Sequence, residues 1–143
     1  MVDSDFIAAH ADHIGKTMES LLRIYDTGKA TDDYNEAEVI AISTLLMNLY
    51  TGFETIIRHI TEGTGHKLIK SGSWHKDLLN VATESGIISR DMRDMLIKYM
   101  AFRHLHVHGY GYMHKLDEFK HLAGNAKDTA DKFFIELKEK GFL

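Results

Sequence analysis

The stretch of the chain richest in reactive side chains is RHLHVHGYGYMH, residues 103–114. It holds one arginine, four histidines and two tyrosines within twelve residues. Histidine exchanges protons near neutral pH and is a common metal ligand. Arginine stays charged and grips phosphate with a planar fork of N–H groups. Four chemistries fit: a metal site, an acid–base site, a phosphate site, or a helix end whose polar rings complement the dipole.

For a metal, His104 and His108 are four apart and can share one helix face, as two zinc ligands do. A catalytic zinc site wants a third protein ligand. His114, His121 or a carboxylate from another helix could supply it, but no spacing marks one. There is neither a His-Glu-x-x-His motif nor the Glu-x-x-His pairs of di-iron bundles. No metal is expected.

For phosphate, arginine and histidine together suffice to cleave RNA without a metal or other cofactor. One group takes the 2′-hydroxyl proton, another protonates the leaving 5′-oxygen, and arginine stabilises charge on phosphorus. Arg103 and His108 are five apart. On a continuous α-helix they point roughly 140° away from each other. They converge if the helix ends between them, which Gly109 favours, or if two chains share the site. A two-fold dimer would supply two copies of His108, matching the need for two proton-transfer groups.

The elements that position these residues follow from apolar periodicity. A first helix is expected from about Ser4 to Asp26, capped by Ser4 or Asp5, with Ile7, Ile14, Met18, Leu21 and Tyr25 on one face. A second, of about thirty residues, starts near Asp32 or Asp33 and ends at Gly63. Its stripe is Val39, Ile42, Leu46, Leu49, Phe53, Ile56 and Ile60, widened by Ile40, Leu45 and Ile57, which suits a bundle core. Residues 63–73 read as a loop and Trp74–Ser85 as a short helix stopped by Gly86. Ser89 caps the helix carrying Met92, Met95, Leu96, Tyr99 and Phe102, which should stop at Gly109. A last helix spans roughly His114 to Lys140, with Leu116, Phe119, Leu122, Ala126, Ala130, Phe133 and Leu137 inward. No strand-period segment of useful length appears. The fold class is all-α, a bundle of four long helices and one short one, in a single domain over residues 1–143.

Composition narrows the function. Formal charge is −4, so attraction to nucleic acid must come from a local basic patch. The absence of cysteine excludes disulfides, thiolate metal sites and cysteine nucleophiles. The absence of proline permits long uninterrupted helices. The N-terminal segment lacks the apolar run of a signal peptide, and no apolar segment looks long enough to cross a bilayer. A cytoplasmic protein without membrane contact is the default expectation.

Arg103-x-x-x-x-His108-x-Tyr110 resembles the Arg-x-x-x-x-His-x-Tyr form of HepT-like toxins in the HEPN superfamily. MNLYTGFETIIRHI resembles their long second helix. SWHKDLL, followed by SGIISRDMRDMLIKYMAFRHLHVHGYGY, follows their order of short helix, cap and motif helix. The resemblance covers roughly residues 31–119. It implies a HEPN-like helical bundle that dimerises, with a metal-independent endoribonuclease site at the dimer interface. It also implies a partner, a minimal nucleotidyltransferase antitoxin that in some pairs adenylylates the motif tyrosine.

Carried over, Arg103 would bind and stabilise phosphate, His108 would be the general acid–base group, and Tyr110 the AMP acceptor. Other HEPN proteins carry an acidic residue near the motif, and Glu54 is the match. Glu54 also sits four before Arg58, so a surface ion pair is its other reading. His104 and His106 occupy variable motif positions, and His104 is at most supporting. Tyr112 is expected to pack against the last helix.

Arg58, Lys67, Lys70 and Lys76, with the histidines between them, form a basic strip around Trp74 that could contact RNA. Trp74 is more simply an anchor for the short helix. Two other functions stand beside the nuclease: a non-catalytic HEPN partner of a nucleotidyltransferase, and a metal-binding bundle that would lose stability on chelation.

Overall fold

The computed structural model of the chain describes residues 1–31, 33–68, 72–110, 117 and 119–143, with residues 109 and 110 described by their backbone alone. Among them the regular elements are all helical: α1 Ser4–Gly28, α2 Glu36–Gly63, α3 Trp74–Glu84, α4 Arg90–Leu105, α5 Lys120–Gly124 and α6 Ala126–Glu139, with a π turn, His106–Tyr110, extending α4.

Caps set where the helices begin. Asp3, not Ser4 or Asp5, starts α1, its carboxylate accepting from the Asp5 and Phe6 amides at 2.9 and 3.3 Å. α2 starts at Glu36 rather than near Asp32 or Asp33, because Asn35 and Glu38 form a reciprocal capping box. The Glu38 amide donates to Asn35 Oδ1 at 2.8 Å and the Asn35 amide to Glu38 Oε1 at 2.9 Å. The Asn35 amide, then the Thr27 hydroxyl, hold the Glu38 carboxyl below its ordinary pKa. A lowered folded-state pKa means stability present above the unfolded pKa and lost as pH falls through the folded one. Asn35→Ala is expected to cost about 1 kcal/mol in a urea titration at neutral pH.

α2 is the axis of the molecule and packs against α1, α3, α4 and α5. Its inward residues Ile42, Leu46, Leu49, Phe53, Ile56, Ile57 and Ile60 are fully buried, whereas Ile40 is 49% exposed and does not widen the stripe. Phe53 meets Phe133 of α6 edge-on at 4.8 Å. Gly52 lets α1 come close: a Cβ there would lie 2.6 Å from Ile14 Cγ1. Contrary to the sequence expectation, α2 is long and apolar enough to span a membrane by length and composition. Its apolar face is instead spent on the core, with 56% of its most apolar window buried.

The C-terminal expectation also changes. The single helix expected over 114–140 is two helices, α5 and α6, broken at Gly124–Asn125; residues 114–116 lie outside the described residues. Glycine and asparagine are both poor helix formers. The Tyr99 hydroxyl donates to the Leu122 carbonyl at 2.7 Å beside the break. Phe119, Leu122, Ala126, Ala130, Phe133 and Leu137 are all buried as expected. Gly86, at φ +75°, ends α3 and turns the chain towards α4.

Candidate functional site

α4 is fixed at both ends. Ser89 caps it, accepting the Met92 amide at 3.0 Å, and Met92, Leu96, Tyr99 and Phe102 are buried along its length. The α-helix ends at Leu105, four residues before Gly109, and the chain widens into the π turn. π turns inside helices shift the side-chain register and recur at functional sites. Arg103 at the end of α4 and His108 on the π turn, five apart, both line one cavity of about 530 Å³. The convergence occurs within a single chain.

The cavity lies between the start of α3 and the end of α4. Gly72, Ser73, His75 and Lys76 line one side; Met100, Arg103, His104, Val107 and His108 are among those lining the other. Two cations, three histidines and the N-terminal end of α3 suit an anion. Arg103 Nε donates to Thr51 Oγ1 of α2 at 3.0 Å. That bond sets the direction of the guanidinium while using one of its five N–H donors. The His104 and His108 rings lie 4.3 Å apart on the same side. His106 turns the other way, towards Phe102, and its Nδ1 is buried without a partner among the described residues.

The profile of the family described as HepT-like protein matches residues 41–140. The chain belongs to the HepT-like family. Two solved structures share its fold. One is a tri-AMPylated Shewanella oneidensis HEPN toxin in complex with an MNT antitoxin, at TM-score 0.79 and 18% identity, covering 97% of this chain and 99% of that one. The other is the toxin–antitoxin complex MntA–HpeT with a tyrosine-to-alanine substitution, at TM-score 0.76 and 18% identity, covering 96% and 99%. No curated protein matches.

In this HepT-like chain the residues singled out by sequence separate cleanly. Arg103, His104 and His108 come together on the cavity. Tyr110 closes the π turn, two residues past His108, and its side chain lies outside the described residues. So do Tyr112 and His114. Among the described residues no three histidines or carboxylates gather as a metal site.

Glu54 is not a surface ion pair. It is 8% exposed, and its Oε2 lies 2.7 Å from His75 Nδ1, while Arg58 turns to Glu62 at 3.0 Å. Glu54 does not itself line the cavity; His75 does. His75 stood in the sequence only as one histidine of the basic strip; its pairing with Glu54 spans 21 residues of chain and depends on how α3 docks on α2.

The basic strip is dispersed. The His59 ring accepts the Asp3 amide at 2.9 Å, and His66 bonds Thr64 and Ser85 at 3.1 and 3.0 Å. Trp74 packs against the core with the Arg58 guanidinium 5.5 Å above its ring, and of the strip's described lysines Lys76 reaches the cavity and Lys67 does not. Lys70 lies outside the described residues.

Behind the site, Tyr50 is fully buried and its hydroxyl makes no hydrogen bond of good geometry among the described residues. Burial first, then the Glu54 carboxylate, push its pKa well above the ordinary tyrosine value, and Arg103 pulls the other way. The phenol therefore stays neutral. Removing an unsatisfied hydroxyl should not destabilise. Tyr50→Phe is expected to hold stability or raise it by up to about 1 kcal/mol in chemical denaturation. A clear loss would mean that the hydroxyl donates to Glu54 in solution.

Proposed function

We propose that this HepT-like protein is a metal-independent endoribonuclease, the toxin of a toxin–antitoxin pair, cleaving RNA in the cytoplasm. The observation that supports this reading is that Arg103 and His108 both line one cationic cavity. Arg103 and Lys76 would hold the scissile phosphate, with Arg103 meeting the charge that builds on phosphorus in the transition state. His108 would transfer a proton at one end of the phosphodiester. No cofactor enters the scheme.

The antitoxin would be a minimal nucleotidyltransferase acting on Tyr110. Both structural relatives are toxin–antitoxin complexes and one is a tri-AMPylated toxin, which supports this partner.

Purified protein, verified by mass spectrometry to carry no AMP on Tyr110, should cleave total tRNA in EDTA. No cleavage would favour a non-catalytic partner of the nucleotidyltransferase.

The protein is also expected to be a homodimer. Leu105 and Val107 are 42% and 55% exposed at the cavity, apolar surface that a second copy would cover. Light scattering should give twice the chain mass at micromolar concentration; a monomer alone would count against a shared cleft.

A further inference from the structure

Cleavage by attack of the 2′-hydroxyl needs two proton-transfer groups, and within one chain Arg103 and His108 supply one between them. The cavity holds a histidine already equipped to be the other. His75 sits in the first turn of α3, a helix anchored by the fully buried Leu78, Leu79 and Ala82. Its Nδ1 lies 2.7 Å from Oε2 of Glu54, a carboxylate on the central helix that is 8% exposed. An ionised carboxylate has only lone pairs to offer, so the hydrogen of this bond belongs to Nδ1. The neutral ring then carries its lone pair on Nε2, which makes no hydrogen bond to any described residue. A carboxylate that fixes tautomer and ring direction is how a histidine is prepared to act as a base. The ring lines the same cavity as Arg103 and His108.

We propose that His75, held by Glu54, is the general base of this cleft, taking the 2′-hydroxyl proton of the RNA while His108 serves as the general acid. The inference rests on the endoribonuclease reading above. The step balances without water, metal or oxidant. The 2′-hydroxyl proton passes to His75 Nε2 as the 2′-oxygen bonds to phosphorus. The P–O5′ bond breaks, and the 5′-oxygen takes the proton of the imidazolium of His108. The products are a 2′,3′-cyclic phosphate and a 5′-hydroxyl, and exchange with solvent restores both rings. Among the described residues, the titratable or charged groups around His75 are Glu54 of α2, Arg58 of α2 over the adjoining Trp74 ring, Lys76 and Asp77 beside it in α3, and Arg103, His104 and His108 across the cavity.

A leaving-group substitution tests it. In an RNA whose scissile 5′-oxygen is replaced by sulfur, the thiolate departs without a proton, so loss of the acid is rescued and loss of the base is not. Wild type, His75→Ala, His75→Gln and His108→Ala are compared on the normal and 5′-thio substrates across pH. His75→Gln can keep a hydrogen bond to Glu54 while removing the titrating nitrogen, so it carries the test should the alanine variant unfold.

Both His75 variants should lose about 10²–10⁴-fold in rate, lose the rise in rate on the acid side of the profile, and gain nothing from sulfur. His108→Ala should recover on the 5′-thio substrate. Near-wild-type rates for folded His75→Gln, or its rescue by sulfur, would overturn the inference and leave the nuclease reading standing. Wild type inert on both substrates would overturn both.

Discussion

His108→Ala should lose RNA cleavage by about 10²–10⁴-fold, and Arg103→Ala by about 10²–10³-fold, with the fold of each intact. The two effects have different origins. His108 is exposed on the π turn, touches His104, and contributes nothing to the buried core. Its removal deletes a proton-transfer group and little packing. Arg103 is half-buried and linked to α2 through Thr51, so its removal costs one hydrogen bond, about 0.5–1.5 kcal/mol of stability, as well as the phosphate charge. Arg103→Lys should not restore activity, because an ammonium cannot hold Thr51 and present a planar fork to phosphate together. Single-turnover cleavage in EDTA, paired with thermal melts, separates these causes. A His108→Ala protein that unfolds would make that histidine structural.

The bundle was legible in the sequence because burial repeats with the helical period. The stripes of α1, α4 and α6 match the buried faces nearly residue for residue, and in α2 Ile40 is exposed while Val39 and Leu45 are only partly buried against the core. Local hydrogen bonding was less legible. Asp3 and Asn35 took the caps from their neighbours, since several adjacent polar residues compete for one helix start and packing chooses among them. The break at Gly124–Asn125 sits under the Tyr99 hydroxyl, a tertiary contact with no sequence period. The site shows the same division. Arg103 and His108 lie within one short segment, and their spacing posed the question of how they meet. The structure answers with a cavity that both residues line, between α3 and the end of α4, which no residue pattern announces. Glu54 was visible as an acid near the site, but its i+4 neighbour suggested the wrong partner. Its contact with His75 exists only once α3 is laid on α2.

Adenylylation of Tyr110 should silence the cleavage proposed above by competing with the RNA phosphate. Tyr110 closes the turn whose preceding residues, Leu105, Val107 and His108, line the cavity. Transfer of AMP from ATP to its phenol oxygen, with pyrophosphate leaving, would add a phosphodiester and a nucleobase two residues along the chain from His108. Under the proposed scheme that negative charge would compete with RNA phosphate for Arg103 and Lys76, which line the cavity. The modified protein should lose at least about 10²-fold in cleavage, the scale of losing one positioned charge-stabilising group. Co-expression with the cognate nucleotidyltransferase should add the mass of AMP to the peptide holding Tyr110. Tyr110→Phe should escape that addition at this position and stay active, because the phenol oxygen is not asked to move a proton in the proposed chemistry. If Tyr110→Phe is inactive without any partner, the tyrosine belongs to the catalytic or structural machinery. If an active partner leaves Tyr110 unmodified, control must act through binding alone, with the antitoxin covering the cleft rather than filling it.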